Sequence, residues 1–166
     1  MMLSISHVTQ DLPSSCVSAC LAMALGLPQE QVIAEFHDDY FQGKTTLGKY
    51  LTSKGITFTP IGFEETFYPE DDEEEHVYFM TVPSLNIEGG LHEIIWHWWE
   101  GGNRIYDPAQ GFITKKGKRG KKKRKFYVAS DKEAEYDKLA RVNTGRIIDL
   151  VISAKELQRF RSTIGK

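Results

Sequence analysis

The sequence predicts an α+β fold, a helical amino-terminal part packed on an antiparallel sheet. Apolar residues recur at helical spacing through about residue 53 and alternate like strands from about residue 56, with glycine-rich turns between successive strand candidates. At 166 residues the chain suits one domain, and a hydrophobic fraction of 40% with 11% aromatics excludes wholesale disorder. Residues 1–166 are therefore read as a single domain.

The elements run in order along the chain. Pro13-Ser14-Ser15 opens a buried helix through Cys16 to Leu25, with Gly26 as its C′ residue and Ser18, Ala19 and Ala22 allowing close packing. A second helix spans about 29–37, with Val32, Ile33 and Phe36 on one face; a third spans about 46–53 and stops at Gly55. Strands are expected over 56–61, 77–82, 92–99 and 103–107, the last two joined through Glu100-Gly101-Gly102. Phe112-Ile113 and Phe126-Tyr127-Val128 read as two arms of a hairpin around a basic loop. A helix around 132–141, a strand around 146–152 and a helix from about Lys155 complete the chain. Trp96 and Trp98 share the face of Ile94 and belong in the core, whereas Trp99 lies near the turn.

No apolar run approaches the ~20 residues that span a bilayer. The start, MMLSISHVTQ, has neither the basic nor the apolar region of a secretory signal. With two cysteines, four apart and poorly placed for a bridge, a reducing cytoplasm is the expected compartment. No fourth ligand stands at a usual metal spacing, so neither metal nor cofactor is expected.

A thiol becomes a nucleophile when its thiolate is stabilised by helix N-terminal N–H groups or a nearby imidazolium. Cys16 stands at such a helix start, while Cys20 lies one turn deeper. The competing reading makes both of them small buried hydrophobes. Gln10, six residues before Cys16, has an amide that could serve an oxyanion beside the Cys16 backbone N–H, or be a solvated loop side chain. His92 opens a strand after Gly89-Gly90-Leu91, and Asp107 ends the next. A hairpin through Glu100–Asn103 would bring them to one open end, where Asp107 would orient the imidazole; the alternative for Asp107 is a turn-initiating residue before Pro108. His97 has the opposite parity and reads as a partly exposed strand histidine.

The segments Gln10-x5-Cys16-x2-Ala19-Cys20-Leu21-Ala22-Met23-x2-Gly26, Gly90-x-His92-Glu93-Ile94-Ile95 and Ile105-Tyr106-Asp107-Pro108-Ala109-x-Gly111 resemble the papain-like bacteriocin-processing peptidases, which cleave after double-glycine leaders, and especially their small stand-alone relatives in bacteria and phages. The likeness covers roughly residues 5–113, including the order Gln, Cys, His, Asp and the fifteen-residue His–Asp spacing. It implies a papain-like fold and a cysteine peptidase or amide hydrolase acting on a peptide or protein. Cys16 would be nucleophile, His92 general base and acid, Asp107 orienter and Gln10 oxyanion donor. The same order also serves acyl transfer to an amine. Ser15 and Val17 stand where these peptidases commonly carry Asp and Gly, and Val17 puts a branched side chain where substrate backbone would approach. The Gly89-Gly90 and Gly101-Gly102 pairs read as turns, not cleavage sites.

Net charge is only −2, from 21 basic and 23 acidic residues, but the charges are segregated. Residues 64–75 hold eight acids and no base. Residues 115–125 hold nine bases and no acid: Lys115, Lys116, Lys118, Arg119, Lys121, Lys122, Lys123, Arg124 and Lys125. Such runs are commonly solvated loops. The basic one is also a candidate polyanion site, for nucleic acid or an acidic protein, without aromatic residues for base stacking. The alternative to an enzyme is thus a catalytically weak or inactive papain-like scaffold that binds through residues 115–125.

Overall fold

The computed structural model describes residues 2–62, 74–113, 123–127 and 147–164. Helix α1 spans Cys16–Leu25 and ends where Gly26 adopts φ 69°, a left-handed turn that an L side chain rarely takes. Nine of its residues, Val17 to Leu25, are buried, so it is held by packing all round rather than by one apolar stripe.

Next come α2 (Gln29–Val32), a π-helical turn (Ile33–His37) and α3 (Asp38–Phe41) in continuous succession. This stretch runs four residues past the expected end at His37. A π-turn inserts an extra residue and shifts the phase of the helix beyond it, so Tyr40 and Phe41 escape a 3.6-residue pattern. Helix α4 (Leu47–Ser53) begins at Thr46, whose hydroxyl accepts from Lys49 N at 3.1 Å. Gly48 on α4 permits close approach: a Cβ there would lie 2.9 Å from the Phe58 ring.

Five strands complete the sheet: β1 (Thr59–Gly62), β2 (His76–Pro83), β3 (Leu91–Trp99), β4 (Gly102–Tyr106) and β5 (Ile147–Ser153). They pair antiparallel in the order β1-β5-β2-β3-β4. The first strand is shorter than expected, since Ile56, Thr57 and Phe58 precede it. Helix α5 (Ala154–Thr163) closes the described chain, capped by the Ser153 hydroxyl accepting from Glu156 N at 3.2 Å.

The sheet is covered on both faces. Val77, Phe79, Ile95, Leu150 and Ile152 pack with α1, α4 and α5, while Tyr78, Met80, Ile94, Trp96 and Ile105 pack with Tyr127 on the other side. Trp96 is core, Trp98 packs against that cluster, and Trp99 is half-buried. His97 departs from its expected exposure: it is only 2% exposed, its Nε2 2.7 Å from Glu75 Oε1, which also accepts from Leu3 N. Burial there is supplied by chain distant in sequence.

The expected hairpin arms at 112–113 and 126–127 do not form strands. Among the described residues a single bridge joins Ile113 to Lys123, and Tyr127 beyond it packs against the sheet, while Val128 lies outside the described residues. The helix expected around 132–141, most of the acidic run and residues 115–122 of the basic run lie outside the described residues. Among the described residues no helix is long and apolar enough to cross a membrane.

Candidate active site

Three side chains from separate elements meet at the mouth of β3. Cys16 is the first residue of α1, after Ser15, whose hydroxyl is tied to the Leu12 backbone (N 2.9 Å, O 3.1 Å) and so fixes the helix entry. Cys16 is partly exposed, whereas Cys20 is fully buried with its Sγ 3.5 Å from Glu93 O. His92 comes from the start of β3, lines the same cavity as Cys16 and couples to it electrostatically. Its Nε2 lies 2.6 Å from Asp107 Oδ1, which leaves Nδ1 as the ring nitrogen available to sulfur.

Asp107 is 1% exposed and fully engaged. Oδ1 also accepts from Ala109 N at 2.8 Å, and Oδ2 accepts from Tyr127 N at 2.7 Å. The Tyr127 hydroxyl donates to Pro83 O at 2.5 Å, anchoring that segment to the end of β2. Asp107 thus starts the turn and also lies against the imidazole. The contribution of Tyr127 was not legible in sequence, because a backbone N–H leaves no residue-type signature.

The electrostatics are set by this chain of contacts. Burial alone would lower the His92 pKa, but hydrogen bonds and charge from Asp107 and Cys16 raise it to about 9. Burial alone would raise that of Cys16; the His92 hydrogen bond and charge, with backbone hydrogen bonds at Glu93 and Val17, hold it below its ordinary value. Cys20 shows the contrast, since burial and neighbouring acids push its thiol well up. The arrangement can carry a thiolate–imidazolium pair.

Gln10 lies in the loop before Cys16 with its amide already engaged. Its Nε2 donates to Leu12 O at 2.8 Å and Pro13 O at 3.1 Å, so both amide hydrogens brace the loop before Cys16, and Gln10 N donates to Pro108 O at 2.9 Å. The side chain is 2% exposed, not a solvated loop residue.

Val17 forms part of the cleft wall without sealing it. A cavity of about 260 Å³ opens over Cys16, Val17, Tyr40, Leu91, His92 and Glu93. Of the polyanion candidates, Lys123 and Lys125 are exposed, while the Arg124 guanidinium stacks over Phe112 at 5.0 Å. Lys115, Lys116, Lys118, Arg119, Lys121 and Lys122 lie outside the described residues.

Sequence reasoning missed Thr81, Glu93 and Asp149, three polar residues gathered beside the cleft. Thr81 Oγ1 lies 3.0 Å from Glu93 Oε2 and 2.8 Å from Asp149 Oδ2. Polar residues interrupting apolar strands β2, β3 and β5 were the available signal. Comparison with family models, curated proteins and solved structures finds no match.

Proposed function

We propose that the chain is a papain-like thiol enzyme, a cysteine peptidase or amide hydrolase with Cys16 as nucleophile. The observation that carries this reading is the continuous contact Cys16–His92–Asp107 at an open cleft. A buried carboxylate with three donors is a costly arrangement to maintain for turn geometry alone, and its effect is to stabilise a charged imidazole beside a thiol.

Chemically, Cys16 Sγ forms a bond to the substrate carbonyl carbon, and the carbonyl π electrons pass to oxygen. As they return, the C–N bond breaks and His92 gives its proton to the departing amine. A water then loses a proton to His92, attacks the thioester and expels the thiolate, restoring the pair. In this reading the Cys16 backbone N–H is one oxyanion donor, and Gln10 becomes a second by exchanging its longer bond, to Pro13 O, for the oxyanion.

The test is alkylation by iodoacetamide followed by peptide mass mapping. Cys16 is expected to label at least about tenfold faster than Cys20 at neutral pH, and His92→Ala to abolish that preference. Equal, slow labelling at both cysteines defeats the reading.

A further inference from the structure

The cleft does not end at the triad. The cavity over Cys16 and His92 shares Val17, Tyr40, Thr81 and Glu93 with a neighbouring cavity of about 200 Å³ that continues to Asp149 and Phe58. No lysine or arginine among the described residues lines either one.

This corner holds too many acceptors. Thr81 has one hydroxyl proton and stands between two carboxyls, so it can donate to only one of them at a time. Glu93 is only 5% exposed, and its Oε1 has no hydrogen-bond partner among the described residues. A buried carboxyl oxygen left in this state is costly unless something supplies protons to it. Burial and the facing Asp149 push the Glu93 carboxyl well above the usual range, which favours its protonated form. A cationic group entering from the cleft would replace that proton, bringing several N–H donors at once and a positive charge where repulsion is greatest. Half-buried Tyr40 offers a ring wall for the aliphatic stem of such a group.

We propose that the Thr81–Glu93–Asp149 corner is a subsite for a basic side chain, lysine or arginine, of a peptide substrate whose scissile amide lies at Cys16. That the occupant is a substrate rests on the thiol-enzyme reading above; that the corner prefers a cation does not. Thr81 and Glu93 are register partners across β2 and β3, and Asp149 sits where the β2–β5 register shifts opposite Phe79–Met80, so the three side chains converge from adjacent strands.

The probe is a set of acetylated, amidated alanine pentapeptides carrying one lysine or its uncharged isostere norleucine at each position in turn. Binding is measured by calorimetry to the full chain carrying Cys16→Ala. Lysine is expected to bind at least about tenfold tighter than norleucine at one position. That ratio should collapse toward unity in both Glu93→Gln and Asp149→Asn. If Glu93→Gln loses its native circular dichroism, Asp149→Asn, at a partly exposed position, carries the comparison. Equal affinity at every position, absence of binding by either peptide, or a lysine preference that survives loss of the carboxylates overturns the proposal. The nucleophile reading fails separately, by alkylation of the unsubstituted chain, since the binding assay needs no thiol.

Discussion

Asp107 Oδ1 lies 2.6 Å from His92 Nε2, although the β3–β4 register, with Ile95 paired to Tyr106, would set Asp107 beside Ile94. The contact exists because β4 ends at Tyr106 and the chain turns out of the sheet through Asp107-Pro108. Ala109 N and Tyr127 N then hold the carboxylate in that position. The imidazole is oriented by a turn, not by strand pairing.

Replacing Asp107 with Asn tests this directly. An amide has one acceptor oxygen where the carboxylate has two, so with oxygen kept toward His92 the Tyr127 N–H is orphaned. Asp107→Asn is expected to cost about 1–3 kcal/mol in urea unfolding. It should also return the His92 titration, followed by NMR, from about 9 toward its ordinary value. An unmoved His92 titration would mean that the carboxylate does not govern the pair.

The pH dependence has a definite sign. Cys16 is held below its ordinary value and His92 is raised to about 9. Because the two titrations are coupled, the limbs belong to the pair. Amide hydrolysis, read as kcat/KM, should rise as the thiol loses its proton and fall as pH passes about 9, where His92 can no longer protonate the leaving amine. Alkylation with iodoacetamide needs no such proton, so its rate should show only the rising limb. A falling limb in both assays would point to unfolding instead.

Gln10 separates bracing from catalysis. Alkylation at saturated carbon forms no oxyanion, whereas amide attack does. Gln10→Ala should therefore lower kcat about 10²-fold while leaving the Cys16 alkylation rate within about twofold. Equal losses in both assays would reduce Gln10 to a brace for the loop that carries Leu12 and Pro13.

Arg161 supports α1 from its far end. Its Nη2 donates to Met23 O at 3.0 Å and Ala24 O at 2.9 Å, and Nη1 donates to Ser4 O, so a cation sits on the carbonyl end of α1. Arg161→Met, which retains an apolar stem beside Gly26, should cost about 2 kcal/mol in urea unfolding without altering Cys16 alkylation in the folded protein. A stability unchanged within about 0.5 kcal/mol would show these bonds to be matched by water in the variant.

Local pattern alone determined a good deal here: α1 (Cys16–Leu25) with its Gly26 stop, the strands around 77–82, 92–99 and 103–107, and the last strand and helix all stand near their expected bounds. These are elements whose period, caps and turns lie within a few residues of one another. The places where local reading strayed are those where distant chain intervenes. The π-turn at Ile33–His37 changed the phase of its helix, Glu75 buried His97, and Tyr127 left the expected hairpin to hold Asp107.

The order and spacing of Gln10, Cys16, His92 and Asp107 were likewise legible, because a chemical group is written in the sequence. What only the tertiary structure decided is which atoms of those groups are free to act. It committed the Gln10 amide to Leu12 and Pro13, gave His92 Nε2 to Asp107, and gathered Thr81, Glu93 and Asp149 from three strands beside the cleft. Hydrogen-bond valence is taken up by whichever partners the fold brings near, and those partners here lie up to 68 residues apart in sequence.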